Sequence, residues 1–175
     1  GSALGSGALT LNGSTLQTNA RLVVANAITL GAGNGTIDTL STDSTISGVI
    51  GGAGSLSKTG TGTLTLNAAN TYTGGTIINQ GALGIAIDNA LAATGALTVN
   101  SGGTFMLGRQ VQTLASYGGA GTLQMTMRPA VTSLAVASNA ALGGALVVNL
   151  TPRVVLAGET FTPLTYGSRT GAFTS

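Results

Sequence analysis

With histidine and cysteine both absent, the four carboxylates Asp38, Asp43, Asp88 and Glu159 are the first side chains to weigh as a general acid or base. Asp38 with Asp43, or Asp88 with Glu159, would be the acid and base of a glycosidase-type pair facing each other across a cleft. Their scarcity favours solvated turn positions instead. β-Helix enzymes that act on polysaccharides concentrate acids, bases and aromatics on one face, and this chain, with three Tyr, three Phe and no Trp, has no such cluster.

Other fragments of chemistry fail on single positions. Gly52-Ala-Gly54-Ser-Leu-Ser57-Lys58-Thr59 approaches a phosphate-binding loop, but Ser57 stands where glycine must precede the lysine and no helical pattern follows. The plainer expectation for Lys58 is a surface lysine on a rung. Gly51-Gly-Ala-Gly54 lacks the Asp of a calcium-binding β-roll. Tyr72 and Tyr117 could be exposed adhesive contacts, but packing is the more economical reading. Arg109, Arg128, Arg153 and Arg169 make the C-terminal part mildly basic without forming a patch. The expectation is therefore no catalytic residue, no cofactor-binding residue, no metal ligand and no enzymatic activity.

Composition points the same way. Hydrophobic residues make up 43% and charged residues only 6%, so Thr, Ser, Asn and backbone must supply the solvated surface. Ordinary domains carry about a quarter charged residues. The net charge of +2 reflects scarcity of charge and does not argue for nucleic acid. No apolar run is long enough to span a bilayer and no signal peptide is evident, so insertion of this segment in a membrane is not expected. Gly1-Ser2 reads as a cloning scar.

What must position these residues is a repeat. Gly7-Ala-Leu9-Thr-Leu11, Gly62-Thr-Leu64-Thr-Leu66, Gly95-Ala-Leu97-Thr-Val99, Gly103-Thr-Phe105-Met-Leu107, Gly121-Thr-Leu123-Gln-Met125 and Gly144-Ala-Leu146-Val-Val148 each start with glycine and alternate apolar with mostly small or polar residues. Period-two alternation makes strands with one dry face. Gly54, Gly75 and Gly95 lie 21 and 20 residues apart, the length of one turn of a coiled solenoid, and Asn12, Asn34, Asn67, Asn79 and Asn100 suit its corners. Ala3-Leu4 followed by Gly7 to Asn12 is echoed by Ala90-Leu91 followed by Gly95 to Asn100, the latter pair at an offset of 88 residues, about four turns.

The fold expected is all-β, a right-handed parallel β-helix over residues 3–127 with about six turns stacked over roughly 29 Å. The rival is an antiparallel sandwich, to which the hairpin-type dipeptides Asn12-Gly13 and Asn34-Gly35 would belong. From residue 128 the pattern loosens around Pro129, Pro152 and Pro163. Residues 128–175 are expected to form terminal turns and an irregular cap of short strands or hairpins over the open end.

The stretch Leu56-Ser-Lys58-Thr-Gly60-Thr-Gly62-Thr-Leu64-Thr-Leu66-Asn-Ala-Ala-Asn70-Thr-Tyr72-Thr-Gly74-Gly-Thr76-Ile-Ile-Asn-Gln-Gly81-Ala-Leu83 resembles the autotransporter-associated β-strand repeat. It departs at Ala68, where that family has glycine. The resemblance implies a passenger domain of type V secretion, exported through periplasm and outer membrane to the bacterial cell surface or beyond. Its implied partners are the protein's own C-terminal translocator barrel and a more N-terminal passenger, with a host surface, a host glycan or another copy as further candidates for what is otherwise a monomer. Residues 128–175 look like a membrane-proximal, autochaperone-like end. The function expected is a structural stem that assists folding and secretion. An adhesin or self-association module is the alternative, and a polysaccharide-active β-helix the least favoured.

Overall fold

The computed structural model describes residues 4–127, 133–150 and 162–174. Its strands form three sheets, and every pairing between them is parallel. A three-stranded sheet holds β1 (Leu9–Leu11), β4 (Ile28–Leu30) and β7 (Ile50–Gly52). The nine-stranded sheet stacks β2 (Ser14–Gln17), β5 (Gly35–Asp38), β8 (Leu56–Thr59), β10 (Thr76–Ile78), β12 (Ala96–Val99), β15 (Ser116–Gly119) and β17 (Leu134–Leu142), with β14 (Gln112–Leu114) and β19 (Leu164–Gly171) also paired to β17. The seven-stranded sheet stacks β3 (Leu22–Val24), β6 (Ser44–Ile46), β9 (Thr63–Leu66), β11 (Gly81–Ile85), β13 (Gly103–Gly108), β16 (Thr122–Met127) and β18 (Ala145–Leu150). Each rung of this parallel β-solenoid thus contributes one strand to the seven-stranded sheet, six of them before residue 128.

Alternation decides which side chains turn inward, and register stacks them. Val24, Ile46, Leu66 and Ile85 form one buried ladder; Leu64, Leu83, Phe105 and Leu123 form another, continued by the half-buried Leu146. Each side chain meets its neighbours above and below at the strand spacing, about 4.8 Å, so the core is one continuous column. Gly62 shows how closely the corners stack, because a Cβ there would lie 2.1 Å from the carbonyl oxygen of Thr42 on the rung below.

Asn12-Gly13 and Asn34-Gly35 are corners of parallel rungs, as the solenoid requires and the rival sandwich does not: Gly13 N donates to Asn34 O at 2.7 Å, one turn away. The 88-residue echo is out of phase, since Leu9–Leu11 lies in the three-stranded sheet and Ala96–Val99 in the nine-stranded one. Both sheets need the same alternation, so a strand's sequence does not tell which wall of the coil it forms.

In the terminal part, the described residues 133–150 and 162–174 continue in parallel strands. The nine-residue β17 pairs along its first half with β14 and along its second with β15, and β18 and β19 stack in parallel. Leu134-Ala-Val136 keeps the apolar alternation. Pro163 falls just before β19, where it gives up no ladder donor and its carbonyl accepts from Leu134 N at 3.0 Å. Pro129, Pro152, Arg128, Arg153, Glu159 and Phe161 lie outside the described residues.

Candidate functional site

Lys58 is not the surface lysine expected. It is fully buried on the dry face of β8, between Ile37 below and Ile78 above. Its ammonium donates to the carbonyl oxygens of Thr59 at 2.8 Å, Gly60 at 2.9 Å and Gln80 at 3.1 Å, so the charge is held by backbone dipoles of two rungs. Burial lowers its pKa from 10.5 to about 8, with partial compensation from the Asp38 carboxylate.

The carboxylates are engaged by turn backbone. Asp38 accepts from Gln17 Nε2 at 3.0 Å on the rung below and from Leu40 N at 2.9 Å in its own turn. Those two hydrogen bonds, Gln17 first, hold its pKa below the usual range, and the Lys58 charge adds to them. Asp43 accepts from Thr63 N at 2.9 Å, and hydrogen bonding from the Thr63 backbone and then its hydroxyl lowers its pKa likewise. Asp88 accepts from Val111 N at 2.8 Å. Each stitches its corner to a neighbouring turn, and Glu159 lies outside the described residues.

Buried amides clamp successive rungs together where the chain leaves the seven-stranded wall. Asn70 accepts from Ile50 N at 2.7 Å on the rung below and donates to Ala90 O at 2.8 Å on the rung above. Gln112 reaches back to Leu91, accepting from its N–H and donating to its carbonyl, both at 3.0 Å. Asn26 donates to Gly7 O at 2.6 Å and Gly5 O at 3.1 Å. Nothing in the alternation marked these residues as buried. Asn26, Asn70 and Gln112 lie 44 and 42 residues apart, about two turns each, a recurrence too sparse to mark them in the sequence. The departure at Ala68 is harmless, because its φ is not positive and its carbonyl accepts from Asn70 Nδ2 at 3.1 Å.

Both tyrosines are buried. Tyr72 shares a 2.5 Å hydrogen bond with the Thr76 hydroxyl, and desolvation pushes its pKa up to about 12. Tyr117 is also raised to about 12 by desolvation, and its hydroxyl has no hydrogen-bond partner among the described residues. Arg109 and Arg169 are exposed.

Outward, Thr15, Thr36, Ser57, Ile77 and Thr98 stack into an uncharged ladder on the nine-stranded sheet. Among the described residues no three His, Cys, Asp or Glu side chains group as metal ligands would, and no helix is long and apolar enough to cross a membrane.

A parallel solenoid whose polar side chains are spent on joining rungs defines a repeat segment of rod-like architecture. Residues 56–85, running from the start of β8 to the end of β11, match the passenger-associated-transport-repeat family. The chain is also 37% identical over 126 residues to the adhesin BmaC autotransporter of Brucella suis biovar 1 (strain 1330), an alignment covering 65% of this chain and 4% of that protein. The chain thus spans a small part of that relative's length. No solved structure matches it. Over residues 56–85 this chain is therefore similar to an autotransporter passenger repeat. Within the matched segment, Lys58, Gly62, Asn70 and Tyr72 fill, respectively, the buried ammonium site, a close corner contact, the amide clamp and the aromatic plug described above.

Proposed function

We propose that this chain is a stretch of stem in an adhesive autotransporter passenger, without catalysis of its own. It holds a more N-terminal recognition region away from the cell, and its terminal rungs, residues 134–150 and 164–171, seed folding as the passenger emerges beside its translocator barrel. The observation that carries this reading is the placement of the passenger repeat on two consecutive rungs of a ladder that runs without a change of direction from β2 to β19. A solenoid gains stability rung by rung from nearest neighbours, which suits a spacer that extends by adding units and folds from one end. The adhesive part of the proposal draws on the relative's description as an adhesin.

Removing residues 134–175 and following refolding from denaturant by far-UV circular dichroism tests the folding role. Loss or marked slowing of the returning β signal is expected. Unchanged refolding would make these rungs a passive end and leave adhesion or self-association as the better account.

A further inference from the structure

A cleft of about 490 Å³ opens at the corner between β5 and β6, lined by Asp38, Leu40, Ser41, Thr59, Thr61 and Gln80 among others. Its size falls within the range of small-molecule sites, roughly 300–1,000 Å³. Leu40 stands at its rim with φ 48°, a conformation that costs a branched side chain and that glycine would adopt freely, yet it keeps 38% of its surface exposed. Asp38 Oδ1 and Gly62 N, bonded to the Leu40 N–H and carbonyl at 2.9 and 3.1 Å, hold it there.

The electrostatics narrow the ligand. Asp38 is the anionic group of the lining, and the Lys58 ammonium is bonded to the backbone of Thr59, Gly60 and Gln80, which also line the cleft. The partly exposed Asp38 carboxylate disfavours an anionic ligand, and the attraction of the buried Lys58 ammonium to it lessens its pull on a cation. What remains is three hydroxyls, one amide, spare carboxylate lone pairs and one apolar rim.

We propose that this cleft is a weak subsite for a neutral saccharide, with Asp38 and Gln80 hydrogen-bonded to ring hydroxyls and Leu40 packed against a C–H face. The proposal deepens the adhesive reading and rests on it.

Saturation-transfer NMR of the chain with lactose, maltose and N,N′-diacetylchitobiose is the test, with sialyllactose and methylguanidinium as charged comparisons. At least one neutral sugar is expected to bind with a dissociation constant on the order of 1 mM, weakened roughly tenfold by Leu40→Gly and by Gln80→Ala. Leu40→Gly relieves backbone strain, and Gln80→Ala keeps the carbonyl that Lys58 uses, so both variants stay folded. Silence with all three sugars, binding untouched by both substitutions, or preference for a charged probe overturns the proposal. Cells displaying the passenger that adhere although the cleft is silent remove this site and keep the adhesive reading; sugar binding without adhesion does the reverse.

Discussion

The Lys58 ammonium reaches the carbonyl oxygen of Gln80, one rung above, at 3.1 Å, while its own rung supplies the carbonyls of Thr59 and Gly60. A full charge has thus been placed in a column otherwise filled by Leu, Ile and Val, and the consequence is a stability that depends on alkaline pH. The folded pKa near 8 lies below the unfolded value of 10.5, so between them the unfolded chain binds a proton that the folded chain lacks. Stability therefore rises with pH across that window. Tyr72 and Tyr117 act in the opposite sense. Their folded pKa of about 12 exceeds the ordinary 10.0, so the stability they contribute is complete below pH 10 and is lost as pH climbs toward 12. Urea midpoints are expected to peak near about pH 10. In Lys58→Met the rise should vanish while the fall remains, and a flat profile between neutrality and that peak in the native chain would contradict a buried ammonium.

The two tyrosines should separate under the same substitution. Tyr117→Phe removes a hydroxyl that has no partner among the described residues, and is expected to raise stability by about 1 kcal/mol. Tyr72→Phe strands the buried Thr76 hydroxyl and is expected to lower stability by about 1–3 kcal/mol. Thermal unfolding of the two variants side by side decides it; equal shifts in one direction would mean that the hydroxyls are equivalent.

How far the sequence could be read follows from these residues. The alternation in Gly95-Ala-Leu97-Thr-Val99 predicts a strand, and β12 is Ala96–Val99 with Leu97 and Val99 buried. The spacing of Gly54, Gly75 and Gly95 places three corners on one edge, and Leu56 N does donate to Gly75 O one rung on. Lys58 was legible too, being in phase with Leu56, but charged residues are rarely buried and that prior outweighed the phase. The buried amides were not legible, because their partners are backbone groups about 20 residues away whose adjacency exists only once the coil has closed. The parallel strand β19 was obscured by Pro163, whose place just before the strand start is a matter of register.

Asn70 offers the sharpest test of the corner clamp. Asn70→Ala leaves the Ile50 N–H and the Ala90 carbonyl without their side-chain partner in a buried corner, at a cost of about 2–4 kcal/mol. Asn70→Asp keeps the acceptor for Ile50 but turns a lone pair toward Ala90 O and buries a charge, so it should be the worse of the two at pH 7 and recover in acid as the carboxyl protonates. A urea titration in which Asp matches Asn at pH 7 would show that the donor half of the clamp contributes nothing.

The stem reading makes a stricter demand, that rungs be interchangeable units. Deleting residues 56–75 joins Ser55 to Thr76, which occupies on its own rung the position Leu56 holds below, and sets Ile78 where Lys58 stood. Every later strand then drops one rung without changing wall. This variant should fold cooperatively, weakened by about 3–7 kcal/mol because Thr76 loses the Tyr72 hydroxyl and the Ile50 N–H and Ala90 carbonyl lose the Asn70 clamp. Deleting residues 56–65 removes half a rung instead and carries each following strand to the wrong wall, with its corner glycines facing strands. Circular dichroism should show a β signal and a sharp denaturant transition for the first deletion and neither for the second. If both collapse alike, the rungs are individually fitted and not repeatable spacers, and a stem built by repetition is the wrong account of this chain.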